Sequence, residues 1–214
     1  MKKTILFDMD GVIIDSEPYF VKRYQKALEA LNIEYDIEKL KTIIGTSQKQ
    51  TIEIIQSFSK TPLPKDFEHF TNQLTPIENE DFNQLKMSSL NDLLDYLLKH
   101  DYKIAICSSS PLDFIHKITK DLSIGHYFNF VLSGDQFIES KPHPEIYLKA
   151  AQKMNSNNHD CIVIEDSIPG IKAAKNAGMT CIAVKNKFYE IDYSQADWVV
   201  DQLAEIPIIL NKIN

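Results

Sequence analysis

The chain has 214 residues, of which 43% are hydrophobic, so it is long enough to bury one core and a smaller second unit. Its formal net charge of −7 and its single arginine, Arg23, argue against a nucleic-acid partner. The first strand spans only about five residues, which is too short for a signal peptide or a membrane span. We therefore expect a cytoplasmic protein that binds neither a membrane nor a nucleic acid.

The first predicted element is a short apolar strand in TILFDMDGV, residues 4–12, which runs into a glycine turn at Gly11. In the two-residue period of a strand, Asp8 and Asp10 project to the same side. Two carboxylates this close repel each other unless a cation lies between them, and their oxygens suit a hard metal ion such as Mg²⁺. Two solvated acids beside a turn glycine would give the same pattern, so this segment alone leaves both interpretations open.

Residues 16–86 have apolar positions at helical spacing and contain no convincing strand. We predict helices near 17–31, 36–44, 47–59 and 64–73. From residue 87 onward, strands and helices alternate, which indicates a parallel sheet. The predicted helices cover 89–100, 111–122, 144–155, 168–177 and 202–212, and the predicted strands cover 103–107, 129–133, 161–165, 180–184 and 197–200. The fold class is therefore α/β, with a core formed by 1–15 and 87–214 and an α-helical insertion over 16–86.

Polar residues follow two further predicted strands. Ser108, Ser109 and Ser110 precede a helix, and hydroxyls and free amides at a helix N-terminus bind anions. Glu165 and Asp166 lie at the end of another strand, also just before a helix. Each group also has a purely structural interpretation, because serines often cap helices and acidic residues often complement the helix dipole.

Lys141 lies in SKPHPEIY, residues 140–147, on an extended segment that leads into a helix. A lone lysine is usually a surface charge. However, the carboxylates, hydroxyls and lysine all follow strands of one predicted sheet. Ligands of open α/β sheets bind outside the carboxyl ends of the strands, so we expect these groups to face one crevice.

Together these segments resemble the haloacid dehalogenase superfamily, in the subfamily that contains β-phosphoglucomutase and sugar-phosphate phosphatases. The matching motifs are DMDGV (8–12), Ser108 of CSSSP, Lys141 of SKPHPE and EDS (165–167). The resemblance covers the chain from residue 4 to residue 201. It implies a Rossmann-like core and a helical cap domain, hinged near 14–17 and 83–88, which selects the substrate.

The resemblance also implies roles for the acidic residues. Asp8 would be the nucleophile, and Asp10 would act as general acid and then as general base. Mg²⁺ would be held by Asp8, the backbone carbonyl of Asp10 and Asp166, with Glu165 as a further candidate ligand.

The remaining motif residues would bind the phosphorylated substrate. Ser108 and the amide of Ser109 would hold the phosphoryl oxygens, and Lys141 would balance the remaining negative charge. We also count Gly11 and Ser110 among the candidate substrate-binding residues.

The insertion supplies five further candidates for substrate binding: Phe20, Arg23, Gly45, Gln48 and Lys49. In β-phosphoglucomutase, a histidine on the first cap helix helps to gate the general acid, and an arginine in the cap loop holds the second phosphate. Phe20 and Gln48 stand at those positions here, which favours a phosphatase, although Lys49 could still contact a distal phosphate or carboxylate.

The sequence therefore predicts a Mg²⁺-dependent phosphatase that hydrolyses a small phosphorylated metabolite through an aspartyl phosphate. A phosphosugar mutase similar to β-phosphoglucomutase is the alternative enzyme. A non-catalytic metabolite-binding or interaction protein is the alternative of another class. Asp10 argues against haloacid dehalogenases and phosphonoacetaldehyde hydrolases, which lack this second aspartate.

Overall fold

The computed structural model describes residues 3–43, 48–76, 81–186 and 191–213, and the chain forms two compact units. One unit consists of Met1–Asp15 and Phe82–Asn214, and the other of Ser16–Asp81. The second unit thus ends at Asp81, whereas the sequence pattern predicts an insertion that continues to residue 86. Within the described ranges, no helix combines the length and apolar character needed to cross a membrane.

Strands in the larger unit form one six-stranded parallel sheet. They are β1 (Thr4–Phe7), β2 (Lys103–Ser108), β3 (Phe130–Ser133), β4 (Cys161–Glu165), β5 (Thr180–Val184) and β6 (Trp198–Val200). The strand order is β3-β2-β1-β4-β5-β6. All residues of β1 are buried, which is typical of a central parallel strand. The predicted α/β fold is confirmed.

Helices occupy most of the segments between the strands. In chain order they are α1 (Glu17–Ala30), α2 (Ile37–Leu40), α3 (Gln48–Phe58), α4 (Phe67–Leu74), α5 (Leu90–Lys99), α6 (Leu112–Asp121), α7 (Glu145–Lys153), α8 (Ile168–Asn176) and α9 (Ile206–Ile213). The helix predicted over 202–212 begins later, at Ile206, because residues 203–205 form a 3₁₀ turn. Pro207 explains the start of α9, since proline suits the first turn of a helix.

Each unit has its own apolar core. In the larger unit, Leu6 on β1 is in register with Ala105 on β2 and Val163 on β4, and all three belong to one buried cluster. That cluster also contains Tyr147 from α7 and Ile171 from α8. In the smaller unit, the buried core is formed by Tyr24, Ala27, Leu28, Ile33, Leu40, Ile43, Ile55 and Phe67.

The strand order reverses at β1, which lies between β2 and β4. The chain runs from β1 through β2 to β3 on one side and then builds β4, β5 and β6 on the other. Open α/β sheets bind ligands outside the carboxyl ends of strands at such a switch point. We therefore expect a ligand-binding site at the residues that follow β1, β2 and β4.

Candidate active site

Asp8 directly follows β1 and extends its pairing, because its amide donates to the carbonyl of Ile164 at 2.9 Å. The strand itself ends at Phe7, so the expectation that a strand period orients Asp8 and Asp10 is wrong. The reason is a tight turn, in which the amides of Ile13 and Ile14 both return to the carbonyl of Met9. This turn, and not the strand, sets the direction of the second aspartate.

Three carboxylates converge beside the sheet. Oxygens of Asp8, Glu165 and Asp166 lie within 4.8 Å of one another, and all three residues are buried. Asp10 is half-buried, and its carboxylate accepts a hydrogen bond from the Ser110 hydroxyl at 2.7 Å. The structure therefore brings together acids that are separated by more than half of the chain.

Lys141 lies between two of these carboxylates. Its ammonium donates to Asp8 Oδ1 at 2.5 Å, to Glu165 Oε1 at 2.7 Å and to the carbonyl of Cys107 at 3.0 Å. Burial alone would lower the pKa of Lys141, but the charges of Asp8 and Glu165 outweigh burial and raise this pKa. The lysine is therefore a fixed positive charge with a partner for each of its donors.

Glu165 is held by donors on both of its oxygens. Oε1 accepts from Lys141 and from the Tyr147 hydroxyl, the latter at 2.8 Å. Oε2 accepts from the amides of Asp166 and Ser167 and from the Ser167 hydroxyl, at 3.0–3.1 Å. Burial opposes ionisation, but Lys141 and these hydrogen bonds keep the pKa of Glu165 below its usual value. These contacts indicate that Glu165 holds Lys141 in place, whether or not Glu165 also binds a metal.

Two glycines make room for the carboxylates. A Cβ atom on Gly11 would lie 2.0 Å from Asp166 Oδ2, and a Cβ atom on Gly170 would lie 1.7 Å from Glu165 Oε1. Gly11 was a candidate for substrate binding, and the structure places it against Asp166. Gly170 was not singled out, since a glycine near the start of α8 has no sequence signal that marks it as part of a site.

The serine segment lies at the end of β2. Ser108 is fully buried, and its oxygen accepts a hydrogen bond from the amide of Ser110 at 3.0 Å. Because that bond uses the oxygen as acceptor, the hydroxyl proton can still be donated to an anion. Ser109 is exposed and backs onto Gly134, where an added Cβ would lie 3.0 Å from the Ser109 carbonyl oxygen.

The charge balance and the donor types fit a hard divalent cation. Burial raises the pKa of Asp8 to about 8, and the charges of Glu165 and Asp10 act in the same direction while Lys141 opposes them. Among the described residues, the site contains one ammonium, that of Lys141, and four carboxylates, those of Asp8, Asp10, Glu165 and Asp166. An oxygen-only ligand set with excess negative charge is what Mg²⁺ prefers.

The candidates in the smaller unit have separate environments. Arg23 is 5% exposed, and its guanidinium contacts residues on and just after α4, namely Thr75, Glu68 and Asn72. This network explains why the arginine is buried without invoking a substrate. Phe20 is half-buried on α1 with its ring edge against Tyr19, and Lys49 is exposed on α3. Gly45 and the side chain of Gln48 lie outside the described residues.

Comparisons with known proteins give a family and several relatives. A model of the haloacid dehalogenase-like hydrolase family matches residues 5–184. A phosphorylated carbohydrates phosphatase from Thermotoga maritima is 27% identical over 179 residues, which cover 83% of this chain and 82% of that protein. A β-phosphoglucomutase from Bacillus subtilis is 29% identical over 97% of this chain and 93% of its own length. The crystal structure of β-phosphoglucomutase from Clostridium difficile superposes with a TM-score of 0.81 at 26% identity, covering 99% of this chain and 97% of that one.

Proposed function

Because the chain belongs to the haloacid dehalogenase-like hydrolase family, we propose that it is a Mg²⁺-dependent phosphatase acting on a small phosphorylated metabolite through an aspartyl phosphate. The observation that carries the proposal is the buried cluster of Asp8, Glu165 and Asp166, with the Lys141 ammonium 2.5 Å from Asp8. A carboxylate beside a fixed cation at the end of a central strand is suited to attack phosphorus.

In the first half-reaction, a carboxylate oxygen of Asp8 forms a bond to phosphorus, and the bond from phosphorus to the ester oxygen breaks. Protonated Asp10 gives its proton to that leaving oxygen, which departs as an alcohol. The products are an aspartyl phosphate at Asp8 and a carboxylate at Asp10. This covalent route divides one difficult displacement into two easier steps.

In the second half-reaction, the Asp10 carboxylate takes a proton from water while the water oxygen bonds to phosphorus. The bond from phosphorus to the Asp8 oxygen then breaks. Inorganic phosphate leaves, the Asp8 carboxylate is restored, and Asp10 is again protonated. Asp10 thus serves as acid and then as base within one cycle.

The remaining groups hold charge in place. Asp8, Asp166 and the Asp10 backbone carbonyl would hold Mg²⁺, with Glu165 as a further candidate, and the bound ion would offset the charge between nucleophile and phosphate. The Ser108 hydroxyl and the Ser109 amide would donate to the phosphoryl oxygens. Lys141 would balance the negative charge that accumulates on them.

We propose that the smaller unit, Ser16–Asp81, is a cap that selects the substrate. The relatives named phosphorylated carbohydrates phosphatase and β-phosphoglucomutase support a sugar phosphate or a similar small ester. Phe20 and Lys49 are the described residues through which we expect this choice to be made.

The test is a panel of sugar, nucleotide and short-chain phosphates, assayed for released phosphate with Mg²⁺ present. We expect turnover of at least one sugar phosphate, loss of turnover with EDTA and recovery on adding Mg²⁺. Full activity after exhaustive chelation would contradict the metal assignment. Tight binding of an ester without any turnover would instead favour the non-catalytic alternative.

A mutase is the second candidate, because relatives of that name match nearly the whole chain. Phe20 has no hydrogen-bonding group, and the neutral amide of Gln48 cannot form the bidentate clamp of an arginine. With β-glucose 1-phosphate we therefore expect glucose and free phosphate to exceed glucose 6-phosphate, with or without a bisphosphate primer. Rapid, primer-dependent formation of glucose 6-phosphate would reverse this ranking and make Lys49 the replacement clamp.

A further inference from the structure

Buried serines at the ends of β2 and β3 fix the backbone of Ser110. Ser108 and Ser133 are register partners on the two strands, and both are fully buried. The amide of Ser110 donates to Ser108 Oγ at 3.0 Å, and Ser133 Oγ donates to the carbonyl of Ser110 at 2.8 Å. Both polar backbone groups of Ser110 are therefore bound by side chains that the sheet holds in place.

This anchoring sets the position of the Ser110 hydroxyl, which donates to Asp10 Oδ2 at 2.7 Å. The distance is usual for a hydroxyl on a carboxylate, a class of hydrogen bond stronger than neutral ones. With the backbone fixed, only the χ1 rotation of Ser110 remains to be ordered when this bond forms. The bond thus ties the turn after β1 to the serine segment after β2.

We propose that Ser110 is a positioning residue for Asp10, with Ser133 holding Ser110 in place. The proposal rests on the proposed function, because it assumes that Asp10 transfers the proton. It replaces the sequence-based expectation that Ser110 binds the phosphorylated substrate directly. Ser133 had no assigned role, since neither its residue type nor its spacing marks it.

Orientation matters here because a general acid acts only within about 2.6–3.2 Å of the oxygen that it protonates. Asp10 lies beyond the end of β1 in a turn, so the strand does not direct its side chain. Ser110 holds one carboxylate oxygen and thereby limits rotation of the carboxyl group. Gly134 packs tightly against Ser109, so the backbone of the segment Ser108–Ser110 has a close neighbour on that side.

The test compares kcat/KM for an alkyl phosphate and for p-nitrophenyl phosphate, because this parameter reports on the first half-reaction for both esters. An aryl oxide leaves without much protonation, whereas an alkoxide needs it. For Ser110→Ala we expect at least about tenfold more loss of kcat/KM on the alkyl ester than on the aryl ester. Ser133→Ala should give the same selective pattern in weaker form, and Ser110→Thr, which keeps the hydroxyl, should recover alkyl turnover.

Inhibition by inorganic phosphate separates positioning from phosphoryl binding. If Ser110 acts through Asp10, Ser110→Ala leaves the inhibition constant of phosphate unchanged. Ser57→Ala is the matched control, because that serine is exposed and its hydroxyl donates to the carbonyl of Ile54 within the same helix, α3. Should Ser110→Ala fail to fold, Ser110→Cys keeps nearly the same size with a much weaker donor and gives the same comparison.

Equal losses on both esters, or weaker inhibition by phosphate, would overturn the role of Ser110 and return it to substrate binding. Either outcome would leave the proposed phosphatase intact, because the wild-type protein would still hydrolyse both esters. Absence of turnover by the wild-type protein on every phosphate ester would instead overturn the proposed function, and the role of Ser110 with it.

Discussion

Gly11 and Gly178 share a left-handed backbone but have different surroundings. Gly11 has φ +76° with Asp166 directly in the path of a side chain, whereas Gly178 has φ +71° with nothing within 4 Å of a Cβ atom. Substituting each glycine in turn therefore distinguishes the effect of backbone strain from the effect of a collision with a site carboxylate.

We predict that Gly11→Ala lowers kcat/KM at least about 10²-fold, because a displacement of Asp166 by an ångström or more is enough for such a loss. Gly178→Ala should cost about 1–2 kcal/mol of stability through backbone strain and leave turnover and its Mg²⁺ dependence intact. Steady-state kinetics and urea unfolding of both variants check this. Normal kcat/KM in Gly11→Ala would show that the Asp166 carboxylate is not needed where the structure places it.

Lys141 shows what the sequence alone could and could not reveal at this scale. Its motif identified it as a site residue, but its two carboxylate partners lie 133 and 24 positions away along the chain. Contacts between residues so distant depend on tertiary packing, and no local period encodes them. For the same reason Tyr147 and Gly170 were missed, although both touch Glu165.

Among the elements, α7 brings an aromatic side chain against the charged cluster. Tyr147 is fully buried, its hydroxyl donates to Glu165, and the Lys141 ammonium lies 5.0 Å from the centre of its ring. Burial and the nearby Glu165 raise the pKa of Tyr147, so the hydroxyl remains a neutral donor.

Tyr147→Phe should lower the free energy of unfolding by about 1–3 kcal/mol, because it removes a buried donor from a charged acceptor. Tyr127→Phe is the matched control, since that hydroxyl bonds Asp95 in an exposed position, and its cost should stay within about 0.5 kcal/mol. Urea unfolding of both variants gives the comparison. Equal midpoints for the two would mean that the buried hydrogen bond contributes nothing beyond an exposed one.

The predicted strand boundaries match the structure where acidic residues or a glycine lie next to a short apolar run. The predicted strands 161–165 and 180–184 match β4 and β5, because Asp160, Asp166 and Gly178 delimit short apolar runs. Prediction failed for the helix expected over 36–44, where α2 ends at Leu40 and a 3₁₀ turn follows. Periodicity does not distinguish a continuous helix from a short helix followed by a tighter turn.

For the whole molecule, a cation that binds only the folded chain must raise its stability. Asp8, Glu165 and Asp166 come from segments that approach one another only after the sheet has formed. We therefore predict that Mg²⁺ raises the melting temperature. The unfolding free energy should gain about 1.4 kcal/mol for each tenfold excess of Mg²⁺ over its dissociation constant.

Asp166→Asn should weaken or abolish this Mg²⁺-dependent shift, because it replaces a charged ligand by a neutral amide. Asp201→Asn, which alters an exposed aspartate paired with Lys185, should keep the full shift. Thermal melts across a Mg²⁺ titration provide the readout without any substrate. The same shift in Asp166→Asn as in the wild-type protein would remove this residue from the metal site.

The central claim is that phosphate passes through Asp8, and the most direct test is chemical trapping of that residue. Enzyme quenched during turnover and treated with borohydride should carry homoserine at position 8, the product of reducing an aspartyl phosphate, as read by peptide mass mapping. Asp8→Asn should lack the product and lose at least about 10³-fold in kcat. Sustained turnover with Asp8 unmodified, or with the reduced residue at another position, would contradict the account.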